Sequence, residues 1–249
     1  MNGLGISLHY PGKDYFVSTP IFHNISSLQE SIQNLSKEAV KLVKGTRVIG
    51  LGSGNTVSFI VRELARSPEK VSIEFVPSSL QIKIEAEKSL LRLADENRIP
   101  DIDIVFDGAD QIDSQFNMIK GGGGALLREK ILFSAAQKVV IVADSSKFVQ
   151  SFNRSVPIEV HPMARSIVSK KLIKTGGHPT LRTLEKGFPF ISENGNIILD
   201  TSFPAIGDPK IKEAELNNIP GVLAVGLFTR RADILYKAKN DGTYEVITF

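Results

Sequence analysis

Arg47-Val-Ile-Gly-Leu-Gly-Ser-Gly-Asn-Thr-Val-Ser-Phe-Ile-Val-Arg-Glu-Leu-Ala65 is the stretch on which the architecture turns. It opens with a short apolar run, Val48 to Leu51, of the kind that is covered on both faces in a parallel sheet. The run breaks at Gly52-Ser53-Gly54-Asn55-Thr56. Past the break Val57, Ile60, Val61, Leu64 and Ala65 recur at helical spacing and lay one apolar stripe along a helix. Strand, glycine turn and helix make one βα unit.

The unit recurs along the chain. Residues 73–76 predict a strand running into Pro77-Ser78-Ser79, then a helix over 82–93. Residues 102–106 predict a strand ending at Asp107, followed by a loop, four glycines and a helix over 125–137. Residues 139–143 predict a further strand that runs into Asp144-Ser145-Ser146-Lys147. Upstream, Leu28, Ile32, Leu35, Ala39, Leu42 and Val43 predict a helix over 27–44, capped by Ser26 or Ser27 and closed by Gly45. Alternating strands and helices predict an α/β fold, a doubly wound and mostly parallel sheet with helices on both faces.

After about residue 152 the texture changes. Ile158-Glu159-Val160 alternates, 165–174 reads as a helix, and 189–192 and 197–200 predict two strands. Glu193-Asn194-Gly195-Asn196 between them is a hairpin signal. A second, smaller α+β domain is expected over 153–225. Apolar runs around 232–235 and 244–247 are expected to rejoin the first sheet, so that 27–152 plus 226–249 form the larger domain. Residues 1–26 carry Gly3, Gly5, Pro11, Gly12 and Pro20 without a period and read as an irregular leader.

Composition narrows the function. The chain has 249 residues, 42% hydrophobic and 23% charged, which excludes an intrinsically disordered protein. Thirty Lys+Arg against 27 Asp+Glu leave a net charge of +3, spread along the chain, so nucleic acid is not the expected partner. No run approaches about 18 apolar residues, so no membrane span is expected. With no cysteine and no targeting pattern, a cytoplasmic protein without disulfide or thiolate chemistry is expected.

Ligands of open parallel sheets bind beyond the carboxyl ends of the strands, and the unusual polar residues sit at those ends. Gly52–Thr56 lies between a strand and a helix N-terminus, where backbone amides and the helix dipole favour an anion such as a phosphate monoester. The alternative is a tight turn in which Asn55 or Thr56 caps the helix. Asp107-Gly-Ala-Asp110 puts two carboxylates past a strand; they could share a proton, orient sugar hydroxyls or hold Mg²⁺, or simply form an Asx-turn. Lys120 precedes Gly121–Gly124, four glycines that are entropically costly to order and whose amides can form an anion nest; the alternative is a mobile linker.

Glu129, in the opening turns of the next helix, lies within about 60° of Leu126, Phe133 and Ala136. In such apolar surroundings a carboxylate rises in pKa and becomes a proton shuttle. By position alone it also serves as a complement to the helix dipole, flanked by Arg128 and Lys130. Lys147 is a fourth loop-borne charge. The four histidines stand apart, without metal-hydrolase spacing.

Together Gly50-Leu-Gly-Ser-Gly-Asn-Thr56, Asp107-Gly-Ala-Asp110, Lys120-Gly-Gly-Gly-Gly-Ala-Leu-Leu-Arg-Glu-Lys130 and Ala143-Asp-Ser-Ser-Lys147 resemble the ordered motifs of the type A ribose-5-phosphate isomerases. Glu159-Val160, Asn194-Gly-Asn-Ile-Ile-Leu-Asp200 and Glu215-Leu-Asn-Asn-Ile-Pro-Gly221 extend the likeness to the C-terminus. The resemblance implies a Rossmann-like domain with a smaller α+β lid, assembled as a homodimer or homotetramer. It implies interconversion of D-ribose 5-phosphate and D-ribulose 5-phosphate in the pentose phosphate pathway, without metal or organic cofactor. By the same resemblance Glu129 is the base that moves a proton between C2 and C1. Asp107, Asp110 and Lys120 orient the sugar oxygens and assist ring opening, with Lys120 stabilising the enediolate. Ser53, Gly54, Asn55 and Thr56 contact substrate near its phosphate; Gly108, Ala109, Gly121, Gly122, Gly123 and Lys147 complete the binding set.

The chain departs from the family pattern at Ser53 and Asn55, where Thr and Ser are common, and at Gln111, where an acid is usual. It has no match for the family's lysine near Ile32–Gln33. Two rivals remain at this level: an acyl-CoA transferase-like enzyme with a nucleophilic Glu, and a regulator that binds a sugar phosphate without turnover.

Overall fold

A computed structural model describes residues 27–95 and 101–249; the expected leader lies outside the described residues. Helix α1 (Ser27–Ala39) runs through a 3₁₀ turn to β1 (Val48–Leu51), and α2 (Asn55–Leu64) follows the glycine turn. Then come β2 (Glu74–Pro77), α3 (Leu80–Lys88), β3 (Ile102–Asp107), the short strands β4 (Gln111–Ile112) and β5 (Met118–Ile119), α4 (Leu126–Ala135) and β6 (Ala136–Asp144). The second half holds β7 (Val156–Val160), α5 (Arg165–Lys174), β8 (His178–Leu181), β9 (Ile197–Ser202), α6 (Pro209–Asn217), β10 (Val222–Val225), β11 (Leu227–Phe228), β12 (Ile234–Ala238) and β13 (Tyr244–Thr248).

The main sheet has the order β13-β12-β6-β3-β1-β2 and is parallel except for the edge pair β12–β13. From β1 the chain steps to β2 on one side and to β3 on the other. The crevice between the ends of β1 and β3 is therefore the switch point, where opposed loops leave room for a ligand. Leu51 pairs with Phe106, and the Gly52 N–H continues the ladder to the Phe106 carbonyl at 2.8 Å, which places Gly52 beside Asp107. A four-stranded antiparallel sheet, β10-β7-β9-β8, packs on α5 and α6. A small antiparallel sheet, β11-β5-β4, links the two, with the Lys120 N–H donating to the Gly226 carbonyl at 2.9 Å.

Several elements differ from the sequence expectation. Helix α3 stops at Lys88 rather than at 93, because the chain turns at Leu90 (φ 55°) and residues 92–94 bond alongside Phe75 as a sheet extension. Helix α4 ends at Ala135 rather than at 137, and β6 starts at once; Arg230 takes the Phe133 and Ala136 carbonyls that the helix end leaves open. Residues 189–192 form no strand. The turn at 193–196 is there, with the Ser192 N–H on the Asn196 carbonyl, but β9 pairs along its length with β7 and β8 instead. Strand β7 is buried throughout, Glu159 included, so its alternation of residue type does not mark a solvent face. Helix α6 and strands β4, β5, β8 and β10 carried too little periodicity to be read. No helix among the described residues is long and apolar enough to cross a membrane.

Candidate active site

Loops at the ends of β1, β3, β5 and β6 converge on one cleft of about 400 Å³. Ser53, Gly54, Asn55 and Thr56 form one wall, Gly108, Ala109 and Asp110 another. Lys120, Gly121, Gly122, Gly123, Glu129 and Lys147 complete it. Asp107 is the exception among the singled-out residues: it is 1% exposed and lies beneath the lining. Sequence reasoning had not assigned Val142, Ala143 and Asp144 to the lining; their position at the end of a parallel strand was the available signal. It also missed Gln81, whose side-chain oxygen accepts from the Gly54 N–H at 3.2 Å across the chain from α3.

The first loop is built for close approach. A Cβ on Gly52 would stand 2.0 Å from the Asp107 carboxyl carbon, so no larger residue fits between the two strands there. Asn55 and Thr56 do not cap α2: the cap residue is Gly54, at φ 89°, which has no side chain to cap the first-turn amides. The helix thus presents its first-turn amides to the cleft, an arrangement suited to an anion. The Ser53 side chain is otherwise engaged. Its hydroxyl donates to Glu129 Oε1 at 2.6 Å, so it orients that carboxylate rather than a phosphate. Ser in place of Thr keeps this hydroxyl.

The glycine run is ordered, not a linker. Gly121 (φ 111°) and Gly124 (φ 78°) occupy the left-handed region, and Gly122 lies against Asp110, whose Oδ2 accepts its N–H at 2.8 Å. The Gly124 N–H turns inward to the Gly121 carbonyl at 3.1 Å. Two of the four amides, one bonded to Asp110 and one within the loop, are therefore already spent, and the anion nest is narrower than the sequence suggested.

Lys120 is 3% exposed, and its ammonium touches three acceptors: Asp107 Oδ2 at 2.9 Å, Glu129 Oε2 at 3.2 Å and the Gly108 carbonyl at 2.6 Å. Glu129 is 2% exposed on the first turn of α4, packed among Leu126, Leu132 and Phe133 of the same buried face. Asp107 Oδ1 accepts from the Gly108 N–H at 2.7 Å and from the Ser53 N–H at 3.3 Å. Asp107 and Asp110 take separate partners and do not form the proton-sharing pair that their spacing allowed. The carboxylate coupled to Asp107 is Glu129.

One cation cannot neutralise two buried carboxylates. Burial, reinforced by the charge of Glu129, pushes Asp107 up to about 7 in spite of Lys120. Burial alone would lower Lys120, but Asp107 and Glu129 outweigh it and hold the ammonium above its ordinary value. The folded state thus keeps a proton on Asp107 that the unfolded chain releases near 3.8. The contribution of Asp107 to folding stability is then fully present below that value, falls as pH climbs toward 7, and is lost above it. Denaturant midpoints between pH 4 and 8 should follow this curve, and Asp107→Asn should flatten it; an unchanged slope would show that another group is responsible.

Lys147 ends a 3₁₀ turn in which Asp144 Oδ1 accepts the Ser146 N–H at 2.9 Å, so Asp144 sets the loop that carries it. Gln111 is buried; its side-chain oxygen accepts from the Asn153 and Arg154 amides at 3.1 and 3.2 Å, and its NH₂ donates to Asn153 Oδ1, which an ionised carboxylate could not do. Among the described residues no group of three or more His, Cys, Asp or Glu could hold a metal ion.

The chain is similar to known proteins over most of its length. The family model of ribose 5-phosphate isomerase A (phosphoriboisomerase A) matches residues 74–242. Ribose-5-phosphate isomerase A of Methanosarcina acetivorans is 39% identical over 213 residues, covering 84% of this chain and 91% of that protein. The structure of ribose 5-phosphate isomerase A from Methanocaldococcus jannaschii superposes with a TM-score of 0.81 at 35% identity, covering 88% of this chain and 98% of the other. A D-ribose-5-phosphate isomerase in complex with phospho-erythronic acid gives a TM-score of 0.82 at 34% identity, over 88% and 97% of the two chains. With the fold, the motifs and the sequence all in agreement over most of its length, the chain belongs to the ribose 5-phosphate isomerase A family.

Proposed function

We propose that the protein interconverts D-ribose 5-phosphate and D-ribulose 5-phosphate by proton transfer through an enediolate. The observation that carries this reading is the Lys120 ammonium, held between the carboxylates of Asp107 and Glu129 in a cleft that an uncapped helix N-terminus also faces. The phosphate belongs at the start of α2, with Lys147 on the same cleft, and the carbonyl end of the open-chain sugar belongs at Lys120 and Glu129.

Glu129 takes the proton from C2. The C2–H electrons form the C1–C2 double bond, and the carbonyl pair moves onto O1. Transfer of the O2 proton to O1 and return of the carbon-bound proton from Glu129 to C1 then complete the ketose, C2=O with a C1 hydroxyl, with no net oxidation. The charge arithmetic favours the step. As Glu129 is protonated its negative charge passes to the substrate oxygen, and Lys120 changes partner from one anion to the other without a change in its own state. Ser53 holds the carboxylate in line, and Asp107, beneath the lining, holds the Lys120 ammonium toward the reacting end of the sugar. Asp110 and the loop glycines position the sugar hydroxyls.

The enzyme works without a metal or organic cofactor, in the cytoplasm, as a homodimer or homotetramer, with no nucleic-acid or membrane partner; the composition and the family likeness support this. The test is direct. Purified protein in EDTA is given ribose 5-phosphate and ketose formation is followed. Turnover is expected at full rate. No ketose, or activity that appears only on adding a divalent ion, would overturn the reading.

A further inference from the structure

The tetraglycine loop is gripped from outside the cleft. Arg182, just beyond β8, donates from Nε and Nη2 to the two oxygens of Asp200 on β9, at 2.8 and 2.5 Å. Its remaining nitrogen, Nη1, donates to the carbonyls of Gly121 at 2.8 Å and Gly122 at 3.0 Å. The Phe190 ring lies 5.4 Å from the guanidinium carbon, and the Arg182 backbone is bonded to Ile198 and Phe190. A planar fork held on both sides has little freedom to turn. Arg182 lines a neighbouring cavity of about 370 Å³ and not the cleft; the two share Asp110 and Gly122.

A trans peptide is planar, with its C=O and N–H pointing opposite ways. The Gly121 carbonyl, drawn to Arg182, turns the Gly122 N–H away from it, and that N–H meets Asp110. The next peptide obeys the same rule. With the Gly122 carbonyl held by Arg182, the Gly123 N–H is turned to the opposite side, where Gly123 lines the cleft. A cation on the carbonyl also polarises the peptide and strengthens its N–H as a donor.

We propose that Arg182 is a positioning residue for the isomerisation, which aims the Gly123 N–H at the substrate oxygens that become anionic. The proposal rests on the isomerase reading above. Arg182→Ala is expected to lower kcat roughly ten- to a hundredfold, as for loss of one aimed oxyanion donor, with a smaller change in KM. Affinity for 4-phosphoerythronate, whose carboxylate carries charge where the enediolate does, should fall in step with kcat/KM. Guanidinium ion in the assay should restore part of both. A mere brace would lower Tm and the titrated number of active sites while sparing kcat per site. Should Arg182→Ala not fold, Arg182→Lys carries the same readings: a cation remains beside Asp200, one ammonium cannot serve both carbonyls, and guanidinium does not help. Wild-type kcat per site in either variant, or unaltered 4-phosphoerythronate affinity, overturns the role of Arg182. Failure of the wild-type protein to isomerise ribose 5-phosphate overturns the isomerase reading itself, so the two outcomes are distinguishable.

Discussion

Glu129→Gln should abolish turnover while sparing the fold and substrate binding. The amide has the shape of the carboxylate. Its oxygen can accept from Lys120, and its NH₂ can donate to the Ser53 hydroxyl, so both native contacts have a replacement. Only the capacity to take a proton is lost, and a loss of about 10²–10⁴ in kcat is expected for a positioned base. Binding of 4-phosphoerythronate should change little, and hydrogen exchange at C1 and C2 in deuterated water should stop. Removing one negative charge also relieves Asp107, so the pH dependence of stability should shrink in the same variant. A variant that isomerises within tenfold of wild type would remove Glu129 from the mechanism.

Lys120→Met should cost both activity and stability, for one reason. The side chain is of similar length, so packing beside Phe133 and Phe228, whose rings lie 5.8 and 5.4 Å from the ammonium, is largely kept. What disappears is the charge that Asp107 and Glu129 share. Breaking a buried ion pair by removing one partner typically costs about 3–5 kcal/mol, because the other charge is left uncompensated. Loss of the counter-ion to the enediolate should lower kcat by about 10²–10³. The double variant with Asp107→Asn separates the two effects: stability should recover only in part, since one buried carboxylate, Glu129, is left without a counter-ion in place of two, and activity should not recover. Urea midpoints and rates on the same preparations read both. A single variant as stable as wild type would contradict the buried triad.

Much of the site was legible because its residues are costly to keep for any other purpose. Four successive glycines after a lysine, and two aspartates past an apolar strand, point to a loop that must approach a ligand. What they could not disclose is which partner each group takes. Ser53 looked like a phosphate donor and instead holds Glu129; Asp110 looked like the partner of Asp107 and instead accepts from Gly122. Glu129 and Ser53 stand 76 positions apart, and nothing in either neighbourhood announces their bond. Arg182 and Gln81 carried no signal at all, because each acts on a backbone group of a distant loop.

The alternation of apolar strands with amphipathic helices was sufficient, unaided, to establish a parallel sheet and to bring the unusual loops to its carboxyl edge. Those are consequences of local periodicity and of right-handed crossovers. The second half was less readable: β8 contains Pro179, α6 is rich in charge, and 189–192 lost its strand because β9 found longer partners in β7 and β8. The protonation of Asp107 and the orientation of the glycine amides belong to the tertiary structure alone. The first arises from burial beside the charge of Glu129, the second from carbonyls that only the folded chain brings within 3.0 Å of Arg182.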